Sequence, residues 1–275
     1  MSPPPLSPAA ALVRRLDPDL FHAALFAPEP ARERLLVLYA FDIELSRAAA
    51  RAAEPLVAQM RLQWWRDLVA GAGTGEAARG HEVAEPLQGL LRAQPLPADE
   101  LALLIAAREI ELGGPLDEHR FAEWLDGRFG ALTRLAAHLL VGENAAARRA
   151  AGAVGHAMGV AFMLRSSVRL ASEANIFLMP GLAPEDRAGL ARGRTTGHAR
   201  ATAHRLAGQA LALLAAARAE RPAVPKAAAP ALLPVWRAER VLKRARRLDL
   251  DLARDLAGEG GRGVALAWRA LRGRW

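Results

Sequence analysis

The chain has 275 residues, 52% of them hydrophobic, and alanine and leucine are the commonest types while glycine and proline recur at intervals. A chain of this length and composition can bury a sizeable core, which disfavours general disorder and favours helices joined by short connections. Cysteine is absent. Disulfides, thiolate metal sites and a cysteine nucleophile are therefore excluded.

The formal net charge is +8 and the sequence pI is near 11.1. Nearly all of the basic residues are arginine, with lysine only at Lys226 and Lys243. Such a charge favours an anionic partner, either nucleic acid or a membrane surface. Nucleic acid is disfavoured, because no zinc finger, helix-turn-helix or aromatic-interleaved basic strand accompanies the charge.

The N-terminal segment lacks a basic region followed by an apolar core, and the chain contains no uninterrupted run of about 18 apolar residues. We therefore predict no signal peptide and no transmembrane helix. The expected location is the cytoplasm, and peripheral attachment to the inner face of the membrane stays open.

Helix signals begin near Ala9, after a Pro-rich tail over residues 1–8. A long helix is predicted after Pro30 and up to Pro55, because apolar residues recur there at three- and four-residue steps. An extended loop is predicted over 175–181. Close helix packing is predicted at Gly127, Gly130, Gly152, Gly155 and Gly159. The other predicted helices run from Pro55 to the 71–75 loop and over 83–93, 98–112, 118–141, 144–171, 184–192, 196–220, 228–247 and 262–274.

Neither β alternation nor a fixed-period repeat occurs, so the fold class is all-α. The predicted domain covers 9–258, flanked by the flexible tail 1–8 and by a basic amphipathic C-terminal helix over 259–275. The apolar stripe of that last helix consists of Val264, Trp268, Leu271 and Trp275. A stripe flanked by arginines suits an anionic membrane surface, and the alternative is that it docks onto the domain.

Several strings occur in the order and approximate spacing of one known family. They are Leu38-Tyr39-Ala40-Phe41-Asp42, Glu54-Pro55, Arg61-Leu62-Gln63-Trp64-Trp65-Arg66-Asp67, His81-Glu82-Val83, the segment Gly155–Arg165, Phe177-Leu178-Met179-Pro180 and Ala231-Leu232-Leu233-Pro234. Over roughly residues 15–250 the chain resembles the squalene/phytoene synthase family. The resemblance implies a single isoprenoid-synthase-type helical bundle with a central cavity for prenyl chains.

Active members of that family join two prenyl diphosphates head to head. The resemblance implies that magnesium would neutralise the departing diphosphate, held by aspartate pairs spaced four residues apart on two facing helices. Here the first cluster is replaced by Ser46-Arg47-Ala48-Ala49-Ala50, and the second by Ser166 and Leu170. We therefore predict no catalytic residue, no metal ligand and no cofactor, and magnesium is expected only if the metal site has moved.

A cavity stripped of these aspartates would be basic and would attract an anion such as a lipid headgroup. The candidate cavity residues are Tyr39, Asp42, Ser46, Arg47, Arg165, Ser166 and Arg169. For Tyr39 the alternative is a core position, and for Asp42 it is a structural ion pair with a neighbouring arginine.

A second candidate region is a partner or membrane surface, because Trp and Arg are enriched at binding hot spots. Its members are Arg61, Trp64, Trp65, Trp268 and Trp275. Of the adjacent pair Trp64 and Trp65, we expect one to pack inward and the other to lie near the surface.

The degenerate aspartate clusters are similar to those of the subgroup that includes the mitochondrial complex I assembly factor of the phytoene-synthase family. This resemblance implies a protein that has lost magnesium-dependent prenyl transfer and acts by binding a lipid or prenyl ligand, an anionic membrane surface or a protein partner. The alternative is an active prenyltransferase of the squalene/phytoene synthase type with a relocated metal site.

Overall fold

The computed structural model describes residues 5–50, 55–71, 78–256 and 275. Within these ranges the chain forms helices and contains no strand, which confirms the all-α prediction. The α-helices are α1 Pro8–Leu16, α2 Pro18–Ala24, α3 Ala31–Ala50, α4 Pro55–Ala70, α5 Ala84–Ala93, α6 Ala98–Leu112, α7 Glu118–Leu125, α8 Ala131–Val141, α9 Ala145–Ala174, α10 Pro184–Ala191, α11 Gly197–Ala219, α12 Ala229–Leu232, α13 Val235–Ala245 and α14 Leu252–Asp255.

The first helix begins inside the segment predicted as a tail. The Ser7 hydroxyl accepts the Ala10 N–H at 3.1 Å and donates to Glu33 at 2.6 Å, so it caps α1 and ties it to α3. A hydroxyl at this position satisfies one of the unpaired N–H groups of the first helical turn. The predicted tail boundary at residue 8 is therefore wrong for Ser7, while residues 1–4 lie outside the described ranges.

Two predicted helices are divided in the structure. The segment predicted as one helix over 118–141 contains a π-helical turn, Asp126–Gly130, between α7 and α8. The helix predicted over 228–247 is interrupted between α12 and α13, where Pro234 has no N–H to continue the hydrogen-bond ladder. The predicted loop over 175–181 is confirmed, and Asn175 ends α9 in the left-handed conformation.

The core is built around the 30-residue helix α9, which packs against α8, α10, α11, α13 and the π turn. A Cβ atom added to Gly155 would lie 2.4 Å from the Phe129 carbonyl oxygen, so α9 approaches the π turn backbone to backbone. Gly127 is constrained in the same way, because a Cβ atom added to it would lie 2.7 Å from the Leu103 carbonyl oxygen. Of the five glycines predicted to pack closely, only Gly152 does not. A Cβ atom added to Gly152 would have a side-chain nitrogen of Arg134 as its nearest neighbour, at 3.7 Å.

No helix in the described ranges is both long and apolar enough to cross a membrane. Most of the predicted C-terminal helix, including Trp268, falls in 257–274 and lies outside those ranges. Trp275 is described and buried, with its ring under the Arg221 guanidinium and its carbonyl oxygen accepting from Arg218 at 2.9 Å. An exposed membrane-facing position for Trp275 is therefore wrong, and the residue docks onto the domain.

Candidate functional site

Helices α3 and α6 place a charged cluster in the interior. Arg108 of α6 is fully buried, and its Nη2 atom donates to the carboxylate of Asp42 and, at 3.3 Å, to the carbonyl oxygen of the same residue. Its Nη1 atom reaches the carboxylate of Glu111 at 3.5 Å. One guanidinium therefore contacts a carboxylate on each of two helices.

Glu111 has further partners from the turn that follows. Arg128 of the π turn forms an ion pair with the Glu111 carboxylate, and the Trp124 indole N–H donates to it at 2.8 Å. Burial acts to raise the pKa of Glu111, but the positive charges of Arg128 and Arg108 outweigh burial and hold that pKa below its usual range. Glu111 is therefore ionised, and the cluster holds two carboxylates and two guanidinium groups.

Arg128 also connects this cluster to α9. Its guanidinium carbon lies 4.4 Å from the ring centroid of Phe162, 5.2 Å from that of Phe129 and 5.8 Å from that of Trp124. A cation over aromatic faces is attracted by the negative potential of the rings. A continuous line of contacts thus runs from Asp42 on α3 to Phe162 on α9 and occupies the space between the two helices. We call Asp42, Arg108, Glu111 and Arg128 the interior charge cluster.

The positions expected to carry magnesium ligands bond to their own helices instead. The Ser46 hydroxyl donates to the Asp42 carbonyl oxygen at 3.1 Å, and the Ser166 hydroxyl donates to the Phe162 carbonyl oxygen. Leu170 offers hydrocarbon only. Among the described residues no three histidine, aspartate or glutamate side chains converge as a metal site. Because magnesium requires oxygen ligands and both carboxylates of the interior charge cluster are bound to arginine, the cluster does not fit the ion.

Asp17 and Tyr39 lie beside the cluster. Burial raises the pKa of Asp17 to about 6, although the Leu20 N–H that it caps acts in the opposite direction. Burial, reinforced by the charge of Asp17, raises the pKa of the Tyr39 phenol far above its usual value. A small cavity of about 120 Å³ opens between these elements and α9, lined in part by Asp17, Phe162, Arg165 and Arg237. Typical ligand pockets start at about 300 Å³.

Comparison with known proteins decides the family. The family model of squalene/phytoene synthase matches residues 13–269. The chain belongs to the squalene/phytoene synthase family. The predicted family and fold are thereby confirmed.

Solved structures of this family share the fold. The squalene synthase HpnC from Alicyclobacillus acidocaldarius aligns with a TM-score of 0.73 and 19% identity, covering 86% of this chain and 91% of that one. A dehydrosqualene synthase in complex with a ligand aligns with a TM-score of 0.78 and 16% identity, covering 96% and 94% of the two chains.

Relatives by sequence carry a different description. The NADH dehydrogenase (ubiquinone) complex I assembly factor 6 of Mus musculus and that of Homo sapiens are each 25% identical over 249 residues, covering 88% of this chain and 74% of the relative. A homolog of that assembly factor from Drosophila melanogaster is 27% identical over 161 residues, covering 56% of this chain and 48% of the relative.

Within this synthase-family chain, the predicted cavity residues separate into two groups. Tyr39, Asp42, Ser46 and Ser166 lie at or near the interior, whereas the arginines do not. Arg165 and Arg169 are exposed on α9, where Arg169 forms an ion pair with Glu173 at 3.4 Å. The predicted place of Arg169 in the cavity is therefore wrong, and Arg165 lies at the mouth of the small cavity.

Arg47 lies in a groove outside the predicted cavity. Five residues along a helix correspond to a rotation of about 140°, so Arg47 and Asp42 point to different sides of α3. Arg47 forms an ion pair with Glu44 and lines a groove of about 600 Å³ between α3, α4 and the segment before α5. The predicted place of Arg47 in the cavity is wrong for this geometrical reason.

The same groove contains the Trp pair. Trp64 is 44% exposed and Trp65 is 3% exposed, so the prediction of one outward and one inward Trp is confirmed. The His81 ring lies 5.6 Å from Trp64 and 5.5 Å from Trp65, and its Nδ1 atom accepts the N–H groups of Val83 and Ala84. These two bonds fix the imidazole at the groove wall. Burial of Trp65 removes it from any surface role.

Arg108, Glu111 and Arg128 were not predicted as site residues. Their only signal in the sequence is the spacing of three residues between Arg108 and Glu111 within one predicted helix. Such a spacing fits an exposed ion pair equally well, so burial was needed to recognise the cluster.

Proposed function

We propose that this chain is a non-catalytic member of the squalene/phytoene synthase family that acts by binding a protein partner. The observation that carries the proposal is the interior charge cluster, in which Arg108 and Arg128 neutralise the carboxylates that a metal would need. A cation approaching Asp42 would have to displace a buried guanidinium, and the freed Arg108 would then repel it.

The relatives by sequence support an assembly role. Those with matches over 88% of this chain are described as complex I assembly factor 6. We therefore infer that the partner is a protein of a respiratory NADH dehydrogenase and that the helical domain serves as its binding surface. The alternative, an active prenyltransferase with a relocated metal site, draws support from the family and the fold alone.

Incubation of the purified protein with farnesyl or geranylgeranyl diphosphate and magnesium separates the two functions. We expect no release of diphosphate, with or without chelator. Magnesium-dependent turnover that disappears in a folded Asp42→Asn variant would establish the prenyltransferase instead. Circular dichroism of the variant provides the control for folding.

Deletion of the gene in its host tests the assembly role directly. We expect the amount of assembled NADH dehydrogenase on native gels to fall and to return with the wild-type chain. The Asp42→Asn variant should also restore assembly in the deletion strain, in proportion to the amount of folded protein, because the proposed function assigns no chemistry to this carboxylate. Unchanged assembly in the deletion strain would contradict the proposed role.

A basic surface at the end of α13 favours attachment to an anionic membrane as a second component. Leu248 is 89% exposed, and the stretch of chain before it has exposed basic side chains at Arg240, Lys243, Arg246 and Arg247. Lys243 and Arg247 are paired with Glu239 and Asp249, so part of the charge is compensated. An exposed leucine flanked by arginines is typical of a peripheral contact with acidic lipids.

Sedimentation with vesicles tests this component. Binding to phosphatidylglycerol vesicles is expected to exceed binding to phosphatidylcholine vesicles and to fall in Leu248→Asp and Arg246→Glu. Leu103→Asp, at a partly exposed leucine of α6, is the matched control and should bind like the wild type. Equal binding by all three variants would remove the membrane surface from the proposal.

A lipid or prenyl ligand in the interior has less support. The cavity of about 120 Å³ would have to enlarge before it could hold a prenyl chain. Native mass spectrometry of gently purified protein tests this point, and a reproducible co-purifying lipid would favour the ligand-binding version of the function.

A further inference from the structure

Helix α4 carries an apolar stripe that no described part of the chain covers. Leu56, Met60 and Trp64 are 63%, 66% and 44% exposed. They follow one another at intervals of four residues and therefore lie on one side of the helix. Isolated exposed leucines occur on most proteins, but three large apolar side chains in line form a contact surface.

The groove described above runs beside this stripe. Trp64 belongs to both, and the groove of about 600 Å³ continues from it to Arg47, Ala48 and His81. Arg15 lines an adjoining groove of about 720 Å³ that shares Arg47 and His81 with the first. An elongated apolar ridge beside a groove with a fixed aromatic wall fits the apolar side of a helix.

The charges at the edge of the stripe indicate what the partner carries. Arg61 is exposed at the groove, and none of the carboxylates in the described ranges forms an ion pair with it. Arg47 pairs with Glu44 through Nη1, while its buried Nε atom has no hydrogen-bond partner in the same ranges. Arg61 therefore retains donors for an acidic side chain of a partner, and Arg47, whose Nη1 atom is already paired with Glu44, adds positive charge beside it.

Two other occupants fit these charges less well. In a symmetric dimer the same surface would meet its own copy, which would bring two further arginines and a Glu44 carboxylate that is already paired with Arg47. A bilayer would have to accept the polar side chains on the outer side of α4, where Gln63 donates to the Asp67 carboxylate at 2.7 Å. An acid at this position opposes contact with anionic lipid.

From these observations we propose that the stripe Leu56, Met60 and Trp64, together with Arg61 and Arg47, is the docking surface for an amphipathic helix of a partner protein that carries an aspartate or glutamate beside its apolar side. This inference rests on the proposed partner-binding function and specifies the surface. The aromatic pair Trp64 and His81 would contact the apolar side chains, and Arg61 would bind the acid.

Site-specific photocrosslinking in the host tests the surface. The full chain is expressed with p-benzoylphenylalanine in place of Met60, and crosslinked peptides are sequenced by mass spectrometry. We expect a protein adduct whose crosslinked segment is amphipathic and contains an acidic residue. The yield should fall at least about tenfold when Arg61→Glu or Trp64→Ala is added. The same probe at Leu213, a leucine of α11 that is 46% exposed, is the control and should not give this adduct.

Charge reversal provides the decisive step. A synthetic peptide of the crosslinked segment should bind the wild-type chain and lose at least tenfold in affinity to Arg61→Glu. Replacing the acid of the peptide by lysine should restore binding to that variant, an outcome that unspecific apolar contact would not produce. As a control for folding, the Arg61→Glu variant should unfold at the same temperature as the wild type.

Several outcomes would overturn the surface. They are an adduct with phospholipid, an adduct with a second copy of the chain, equal labelling at Leu213, or no protein adduct at Met60. The proposed function fails separately, through magnesium-dependent turnover or through intact assembly in the deletion strain. If Arg61→Glu and Trp64→Ala fully restore assembly in that strain, the partner binds elsewhere and only the docking surface is wrong.

Discussion

Arg108 of α6 and Asp42 of α3 form an ion pair in which the arginine side chain has no contact with solvent. The same guanidinium reaches Glu111, and Arg128 completes the group. Each carboxylate of the interior charge cluster is matched by one of its two guanidinium groups, so the cluster is electrically neutral without a metal. The cluster therefore links α3, α6 and the π turn in the part of the fold where the family resemblance predicts a reaction cavity.

Replacing Arg108 by methionine should destabilise the protein strongly. The substitution keeps most of the side-chain volume but leaves Asp42 without its cation, and breaking a buried pair by removing one partner costs about 3–5 kcal/mol. Urea unfolding at pH 7 measures the change in the free energy of unfolding.

Arg169→Met is the control for this prediction, because its pair with Glu173 is exposed and one helical turn long. Such pairs contribute about 0.5 kcal/mol or less. Equal losses in the two variants would mean that water reaches Asp42 and that the cluster does not hold the interior together.

Asp17→Asn should stabilise the protein at pH 8 and not at pH 4. Burial raises the pKa of Asp17 to about 6, well above the usual range of an aspartate, so the folded state favours the protonated acid. The stabilisation from the proton is complete below the unfolded pKa and is lost as the pH rises through 6. Asparagine is neutral throughout and keeps the oxygen that caps Leu20, which predicts a gain of at most about 3 kcal/mol at pH 8.

Asp117→Asn supplies the matched comparison for Asp17→Asn. Asp117 also caps a helix, accepting the Arg120 N–H at 2.8 Å, but it is exposed. Thermal unfolding at pH 4, 6 and 8 should therefore reveal a pH-dependent gain for Asp17→Asn alone. A pH-independent effect of Asp17→Asn would contradict the raised pKa.

Two glycines of α9 should respond in opposite directions to alanine. The new Cβ of Gly155→Ala would lie 2.4 Å from the Phe129 carbonyl oxygen, a backbone atom that cannot turn away. The resulting shift of α9 against the π turn should cost about 1–3 kcal/mol. Gly152→Ala has no atom closer than 3.7 Å and should gain up to about 1 kcal/mol from the better helix propensity of alanine.

Thermal unfolding of the two glycine variants checks this pair of signs. A loss in both would indicate that α9 tolerates no added volume along its length. A gain in both would indicate that α9 and the π turn can separate without cost.

Glu239→Gln should weaken the protein at neutral pH and have little effect near pH 2. Burial alone would raise the pKa of Glu239, but its bonds to Arg218 and Lys243 lower it to about 2. The stabilisation from the charged acid is present above the unfolded pKa of about 4.5 and is lost as the pH falls through 2. Urea unfolding at pH 7 should show a loss of at most about 3 kcal/mol.

Glu220→Gln is the control for Glu239→Gln, because Glu220 pairs with Arg149 at an exposed position. Its effect at pH 7 should stay below about 1 kcal/mol. A similar loss in both variants would mean that the Arg218 and Lys243 bonds contribute no more than a surface pair.

The helices were predictable because their signals are local. The predicted ranges 98–112 and 184–192 match α6 and α10 to within one residue, since prolines and glycines mark their ends and apolar residues recur at helical steps. The π turn and the break before α13 were missed. A turn of Asp126–Gly130 that keeps the chain helical leaves the apolar pattern almost unchanged, so periodicity cannot reveal it.

The site was predictable only where its chemistry is local. The family resemblance predicts Ser46, Ser166 and Leu170, because the expected aspartate positions can be counted from matching strings in the same helices. The pair Asp42 and Arg108 joins residues that are 66 apart in the chain, and its formation depends on how α3 packs against α6. Arg47 was assigned to the cavity by its proximity to Ser46 in the sequence, although adjacent residues of a helix differ by about 100° in direction.

Neutrality of the interior charge cluster also restricts which substitutions the chain can accept. An aspartate introduced at position 46 would add a negative charge one helical turn from Asp42, whose charge Arg108 already balances. Removing Arg108 and Arg128 would leave two carboxylates unpaired and cost much of the folding free energy. A metal ion could therefore bind these two carboxylates only at a large cost in stability, so the arginine pairs act against metal binding at the cluster.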